Sequence, residues 1–465
     1  MTLRLRFNRA TLHMLLWFFG FSEGLFTLLN IPTNINRFIV IFIIIVLMIS
    51  KKSQRIPSTL LLLSSLFLLI LIISIIVNDN FEIVPFFLFS FMAMQWIMYF
   101  IILIDEDYHV LSKIVSYANF WIIIQIPAII LKYIILGISE EGSIGTMSIT
   151  AGSLSAIFPA VVITLIVAQY FQTKNIKWIF WIGAFCLFGI IGQKRVLIIL
   201  IPAIFLIMFL YDFIVNKKRL KTKAITVLLI VSILLVYSSV RVFPLLNREN
   251  KVFGSFNLAF AIEQIKDYTS TDENHYNQLK FRRKAGLVYF LKYLENEGIS
   301  RFLFGEGPGK LVQTEFRKTS ASMLDTYGVR YGGRMGIIWM YMQVGLLGSI
   351  VWLLLFLIIF YKIYKSKGVD IYTIAALLSF FVIMFDVGIY SYVTIRFFPV
   401  FSLWVLLSSL SYRRNILYYN EVYFRKSHYL FGFPHFRRKV TLRLNDTILN
   451  RPKISRNKNY NQIET

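Results

Sequence analysis

Residues 58–104 read STLLLLSSLFLLILIISIIVNDNFEIVPFFLFSFMAMQWIMYFIILI. Two apolar runs, 58–77 and 83–104, are separated by a short break that carries Asp79 and Glu82. An α-helix rises about 1.5 Å per residue, so roughly 20 apolar residues cross the hydrocarbon core of a bilayer, about 30 Å thick. Both runs reach that length. In lipid the backbone has to satisfy its own hydrogen bonds, which favours helices. The stretch therefore predicts a pair of membrane-spanning helices joined by a short turn.

The same pattern recurs outward in both directions. Spans are expected at 10–29, 34–49, 58–77, 83–104, 114–136, 151–170, 177–192, 196–215, 224–242, 335–361, 370–388 and 394–411. The expected fold is all-α: a polytopic membrane protein with about 12 transmembrane helices and one large extracytoplasmic loop containing short helices. Four segments follow: N-terminal transmembrane helices over 1–242, the large loop over 243–334, C-terminal transmembrane helices over 335–411 and a basic cytoplasmic tail over 412–465. Composition agrees. The 465 residues are 57% hydrophobic and the mean hydropathy is +0.66, more apolar surface than a soluble domain of this size hides.

The formal charge of +25 would suggest nucleic acid in a soluble protein. Here the cations mark topology. Lys51, Lys52 and Arg55, then Lys174 and Lys177, then Lys217, Lys218, Arg219, Lys221 and Lys223, then Lys362, Lys365 and Lys367 fall in alternate loops, and these are assigned to the cytoplasm. The intervening loops carry Asp79, Glu82, Glu140 and Glu141. Two features run against the pattern, Arg37 on the outer side and Asp105-Glu106-Asp107 on the inner. Arg4, Arg6 and Arg9 precede the first apolar run without a small-residue cleavage site, which reads as an uncleaved first span. Both termini are expected in the cytoplasm. In the tail, Arg413, Arg414, Arg425, Lys426, Arg437, Arg438 and Lys439 alternate with aromatics, a composition suited to an anionic lipid surface rather than nucleic acid. The single cysteine, Cys186, excludes an internal disulfide.

Polar residues near membrane depth need a reason. The tightest connection, Gly192-Gln193-Lys194-Arg195, puts two cations at the outer mouth of a hairpin. They snorkel into headgroups or clamp an anion; arginine suits the second task because its planar fork meets phosphate oxygens bidentately. In the large loop Arg282, Arg283, Lys284, Arg317, Arg330 and Arg334 form a cationic set beside a helical pattern over 279–294. A glycine-rich turn follows at Gly305-Glu306-Gly307-Pro308-Gly309. Glu23, Lys132, Arg241, Asp386 and Arg396 sit near outer ends of spans, and His13 in the first span reads as a helix-packing hydrogen bonder. No GxxxxGK[ST] loop, zinc-type spacing or cytoplasmic domain able to hold a nucleotide sugar appears, so neither metal nor cofactor is expected.

Three segments together resemble the bacterial O-antigen polymerase and O-antigen ligase superfamily. They are the hairpin Gln193-Lys194-Arg195-Val196-Leu197; Arg282-Arg283-Lys284-Ala285-Gly286-Leu287-Val288-Tyr289-Phe290 followed by Phe304-Gly305-Glu306-Gly307-Pro308-Gly309; and Gln343-Val344-Gly345-Leu346-Leu347-Gly348. The resemblance covers 150–360. Ligase-type sequences carry a His-Asn pair just before the last motif; here that position falls on Arg334-Met335, and the only histidine from Arg241 to Gly345 is His275. This favours the polymerase branch. The resemblance implies a metal-independent membrane glycosyltransferase whose substrates are lipid-linked oligosaccharides on undecaprenyl diphosphate, at the outer face of the cytoplasmic membrane, with a chain-length regulator protein as a further partner. It implies Arg195, and one of Arg282 or Arg283, at the donor diphosphate; with Arg283 taken for that place, Glu306 is assigned as the base and Lys194, Arg282, Arg334 and Arg241 to substrate binding. The rival readings are a ligase-type glycan transferase, a polysaccharide flippase, a small-solute transporter and a scaffolding membrane protein. The single long loop breaks the two-fold repeat expected of a flippase.

The orientation is testable by cysteine labelling in a Cys186→Ser background. A membrane-impermeant maleimide is expected to label Ser139→Cys in intact cells. Ser53→Cys is expected to react only after permeabilisation; the reverse result would invert the topology.

Overall fold

The computed structural model describes residues 8–50, 57–78, 82–136, 145–148, 152–192, 194, 196–214, 226, 233, 237–238, 240–241, 246–249, 251, 253–269, 283–312, 335–365 and 370–417. All belong to one compact unit, Met1–His428; a second unit, Tyr429–Thr465, lies wholly outside the described residues, as does the basic tail beyond Leu417. Among the described residues the fold is all-helical, with no strand.

The N-terminal half contributes α1 (Arg9–Phe21), α2 (Glu23–Leu28), α3 (Thr33–Ile49), α4 (Ser58–Asn78), α5 (Ile83–Ile104), α6 (Tyr108–Leu136), α7 (Leu154–Thr173), α8 (Lys177–Ile191) and α9 (Val196–Ile214). The segment expected as a large loop holds α10 (Leu258–Thr269), α11 (Arg283–Asn296) and α12 (Ile299–Phe304). The C-terminal half contributes α13 (Gly336–Lys365), α14 (Ile371–Phe385) with a π-helical extension over Asp386–Tyr390, α15 (Val393–Arg396) and α16 (Phe398–Leu417). Most of these follow the ranges read from the sequence. The span expected at 224–242 lies mostly outside the described residues.

Among the described residues six helices are long and apolar enough to cross a membrane: Ser58–Asn78, Ile83–Ile104, His109–Lys132, Leu154–Thr173, Gly336–Lys365 and Ile371–Tyr390. Thr33–Ile49, Lys177–Gly189 and Ile199–Ile214 are apolar but shorter. The helices differ in how much of their surface the protein covers. In α7 89% of the apolar window is buried, against 28% in α4, so α7 sits at the centre and α4 at the periphery. Apolar side chains such as Leu62, Leu69, Ile72 and Ile76 face outward from α4, as lipid contact requires.

At the centre, helices meet through small hydroxyl residues, which let backbones approach and hydrogen-bond across the interface. Thr164 on α7 bonds Ser379 on α14 at 2.5 Å, and Thr373 on α14 bonds Ser411 on α16 at 2.7 Å. Asp370 caps α14, accepting from the backbone N–H groups of Tyr372 and Thr373. Beside them Trp96, Trp352, Phe356 and Trp404 form an aromatic stack; Trp96 and Phe356 lie 3.9 Å apart between ring centroids. Both Trp96 and Trp352 donate their indole N–H to the Ala93 carbonyl. Large buried aromatics of this kind satisfy their polar atom locally and fill volume.

Three stretches read as continuous spans are interrupted; one of them, 394–411, breaks at Phe397 between α15 and α16. The expected span 10–29 breaks at Ser22 into α1 and α2. Thr146 fills the gap: its hydroxyl donates to the Phe21 carbonyl at 2.7 Å and its own carbonyl accepts from Gly24 N–H at 2.9 Å. The third break lies inside α13 at Gly345, where φ is +67°. Only glycine adopts that conformation without strain. The loop segment after α12 fits into it. Glu306 N–H donates to the Met342 carbonyl at 2.8 Å, and Gly309 N–H to the Gln343 side chain at 3.0 Å. From α4, Ser74 donates to the Phe304 carbonyl at 2.6 Å and Asn78 to that of Gly305 at 2.9 Å.

The approach is backbone on backbone. A Cβ on Gly345 would stand 2.3 Å from the Leu303 carbonyl carbon and oxygen; one on Gly305 would stand 2.6 Å from Gly345 N. Gly345→Ala is therefore expected to destabilise the protein by roughly 2–4 kcal/mol, while Gly183→Ala, with open space around it, stays within about 0.5 kcal/mol of wild type. Thermal unfolding of the purified chain in neutral detergent checks both.

Candidate functional site

Three charged clusters sit in this frame. The first surrounds Glu306. It lies on the turn Gly305–Gly309, only 3% exposed, with its backbone held by the broken stretch of α13. Lys310, about one-third exposed, forms an ion pair with the Glu306 carboxylate. Tyr293, on α11, hydrogen-bonds the same carboxylate. Burial, and then the negative charge of Glu306, push the Tyr293 phenol up to about 12, so it stays protonated and donating through the physiological range. Helix α11 presents Phe290 and Leu294 inward, both fully buried, while Val288 and Leu291 remain exposed. Of the helical pattern read over 279–294, the part from Arg283 onward is helical, and 279–282 lie outside the described residues.

The other residues named from the sequence divide as follows. Arg195, Arg282 and Arg334 lie outside the described residues, as does the Arg283 side chain. Lys194 N–H closes the α8–α9 hairpin on the Gly189 carbonyl at 2.8 Å. Gly192 in that hairpin packs against Ser155 at the start of α7. Arg241 is engaged locally, donating to the Gly254 carbonyl at 3.2 Å and to the Tyr237 hydroxyl at 3.3 Å. Lys132 donates to the carbonyls of Gly145 and Ser148, and Asp386 accepts from Thr394 N–H at 2.8 Å.

The second cluster joins three residues that the sequence shows only singly. Glu23 Oε1 lies 2.7 Å from Arg37 Nη2 and 3.8 Å from Arg396 Nη2. Arg37, the cation that runs against the orientation pattern, is thus paired inside the protein. They line a cleft between α1, α3, α5 and the start of α16, together with Asn36 and Gln95. Two guanidinium groups face one carboxylate, which leaves the lining with one positive charge. The signal that pointed here was Arg37 itself, a cation that breaks the charge pattern of the sequence, fourteen residues after a carboxylate.

The third cluster lies at the opposite ends of α1, α3, α5 and α16. Glu106, on the turn after α5, accepts from Arg9 Nε at 2.9 Å and is bonded by His13 at 3.0 Å. Arg9 also donates to the Leu47 carbonyl at 2.9 Å, and Arg413 donates to the Glu106 carbonyl. The second exception to the orientation pattern, the acidic turn 105–107, is therefore an internal counter-ion that ties four helices together. His13 is a packing hydrogen bonder, as read from the sequence. This cluster is a clasp, with its groups turned on one another.

No protein-family model matches the chain, and no curated protein sequence matches it either.

The clasp has a pH signature. Burial alone would raise the Glu106 carboxyl, but the hydrogen bonds from His13 and Arg9 outweigh it and hold the group at about 2, against an ordinary value of 4.5. Its stabilising effect is then complete above pH 4.5 and is lost as pH falls towards 2. The difference in unfolding temperature between wild type and Glu106→Gln is expected to be constant at neutral pH and to shrink across that acid window.

Proposed function

We propose that the chain is a polymerase of surface polysaccharide repeat units, of O-antigen or capsule type. It spans the cytoplasmic membrane about twelve times, with both termini in the cytoplasm and the 243–334 segment on the outer face. It transfers the growing glycan from undecaprenyl diphosphate to a lipid-linked repeat unit, with a chain-length regulator protein as a partner.

The observation that carries this reading is the meeting of two motifs. The Gly305–Gly309 turn and the Gln343–Gly348 segment, read separately as marks of the polymerase and ligase superfamily, interlock through Gly309 N–H and Gln343 Oε1 at 3.0 Å. A loop anchored this way into a broken helix is a rigid platform beside the membrane, which suits the positioning of two lipid-borne substrates. It is a poor hinge for the rocking of a flippase.

In the transfer, an acceptor hydroxyl oxygen forms a bond to the anomeric carbon of the donor glycan. The bond from that carbon to the diphosphate oxygen breaks, and the lipid diphosphate leaves with the electron pair. Arg195 and Arg283 neutralise the charge that builds on it, with Lys194, Arg282, Arg334 and Arg241 holding the substrates. The hydroxyl proton passes to Glu306, whose carboxylate Lys310 and Tyr293 position. No metal is required by this scheme.

The test is deletion of the gene and complementation with wild type, Arg195→Ala, Arg283→Ala, Glu306→Gln and the double variant Glu306→Gln/Lys310→Gln, each checked for expression. Surface glycan is then resolved on a gel. Deletion is expected to leave single repeat units. Wild type restores the ladder, and both arginine variants lose it by about a hundredfold or more. Glu306→Gln is expected to fail with and without the second substitution. Rescue by the neutral pair would make Glu306 a positioning residue. Long glycan that stays on its lipid carrier would give the ligase reaction, and unchanged glycan would overturn the proposal.

A further inference from the structure

The cleft at Arg37 and Arg396 has no part in the transfer scheme, yet it is built like a binding site. The Nε atoms of both arginines are buried and have no hydrogen-bond partner among the described residues. The same holds for Asn36 Oδ1, whose amide nitrogen is used by the Phe19 carbonyl. Buried polar atoms are normally satisfied, and two guanidinium N–H donors left over in one cleft call for an acceptor. Glu23 does not supply it. Its Oε1 engages the Nη2 atoms, holding the two guanidiniums in place without neutralising both. Tyr392 also hydrogen-bonds Arg396.

Apart from Gln95, whose side-chain amide donates to the Ile395 carbonyl, the rest of the lining is apolar. Val40 and Ile41 on α3 and Leu88, Phe91 and Met92 on α5 form one wall. Both helices belong to the apolar set, α5 among those long enough to cross the membrane and α3 among the shorter ones. A cationic end with two free donors and one free acceptor, continued by an apolar wall, matches an anionic amphiphile.

We propose that this cleft binds the phosphate headgroup of a membrane amphiphile. Phosphate oxygens accept from Nε–H of Arg37 and of Arg396, Asn36 Oδ1 accepts from a hydroxyl on the headgroup, and the hydrocarbon chain lies along Val40, Ile41, Leu88, Phe91 and Met92. Arginine fits the role because its N–H groups form a fixed fork and keep their charge. The site stands apart from Glu306 and the glycan-transfer reading; either can fail without the other.

The test uses the full chain in dodecyl maltoside, a neutral detergent, titrated calorimetrically with dodecyl phosphate. Saturable binding is expected. Arg396→Gln and Arg37→Gln are each expected to weaken it about tenfold or more, the scale of one charge-assisted contact. Glu23→Gln removes the competing carboxylate and is expected to tighten binding several-fold, a gain that damage to the fold would not produce. Undecaprenyl phosphate and phosphatidylglycerol are then added as competitors. Displacement by the first alone identifies a polyprenyl carrier, displacement by the second a bulk membrane lipid, and both outcomes support the site. Displacement by neither overturns it. So do wild-type affinity in Arg396→Gln, unchanged affinity in Glu23→Gln, and dodecanoate binding as tightly as dodecyl phosphate.

Discussion

Every backbone carbonyl and N–H inside an apolar helical bundle needs a partner, because lipid and packed side chains supply none. A continuous helix meets this demand alone. An interrupted helix releases groups that something else has to take up, and the interruptions organise this protein. At Gly345 the Met342 carbonyl takes Glu306 N–H, and the glycine turn is drawn into the gap. At Ser22 the vacancy is filled by Thr146. After α14, the Ser391 carbonyl accepts from Gly336 N–H and the Ile395 carbonyl from the Gln95 side chain at 2.9 Å. Each break recruits a segment remote in sequence, so the breaks stitch the bundle together.

The charged clusters follow the same economy of satisfaction. A charge taken out of water is tolerated when it is paired and hydrogen-bonded. Glu106 answers Arg9 and His13, and Glu306 answers Lys310 and Tyr293. Glu23 answers Arg37 and only in part Arg396. The Glu23 cluster differs from the other two in its balance. Its surplus of positive charge and unused N–H donors adjoins a cleft, whereas the Glu106 groups are spent on one another. That contrast separates a clasp from a candidate binding site more firmly than the residue types do, since all three clusters are built from the same few side chains.

The helix positions were legible because they depend on local facts. Runs of Leu, Ile, Phe and Val of the required length set α4, α5, α7 and α14, and Asp370 marks the start of one of them. The amphipathic pattern of α11 was equally local. Gly345 lay in a motif already singled out, yet nothing in the sequence announced a break there, since a lone glycine is common in membrane helices. Arg37 and the 105–107 turn stood out only as exceptions to the charge pattern, and their partners lie 14 to 307 residues away.

The sequence by itself determined that the chain is a set of apolar helices, roughly where each begins and ends, and which charged residues are out of place. Those properties are sums over neighbouring residues: hydropathy over a span length, helical periodicity, a cap. Only the tertiary structure decided where helices break and which charges meet. Pairing between Glu23, Arg37 and Arg396, or between the Gly305 turn and Gly345, depends on backbone approaches of a few ångströms between segments far apart in the chain. Such contacts are set by the packing of the whole bundle, and no local window of residues encodes them.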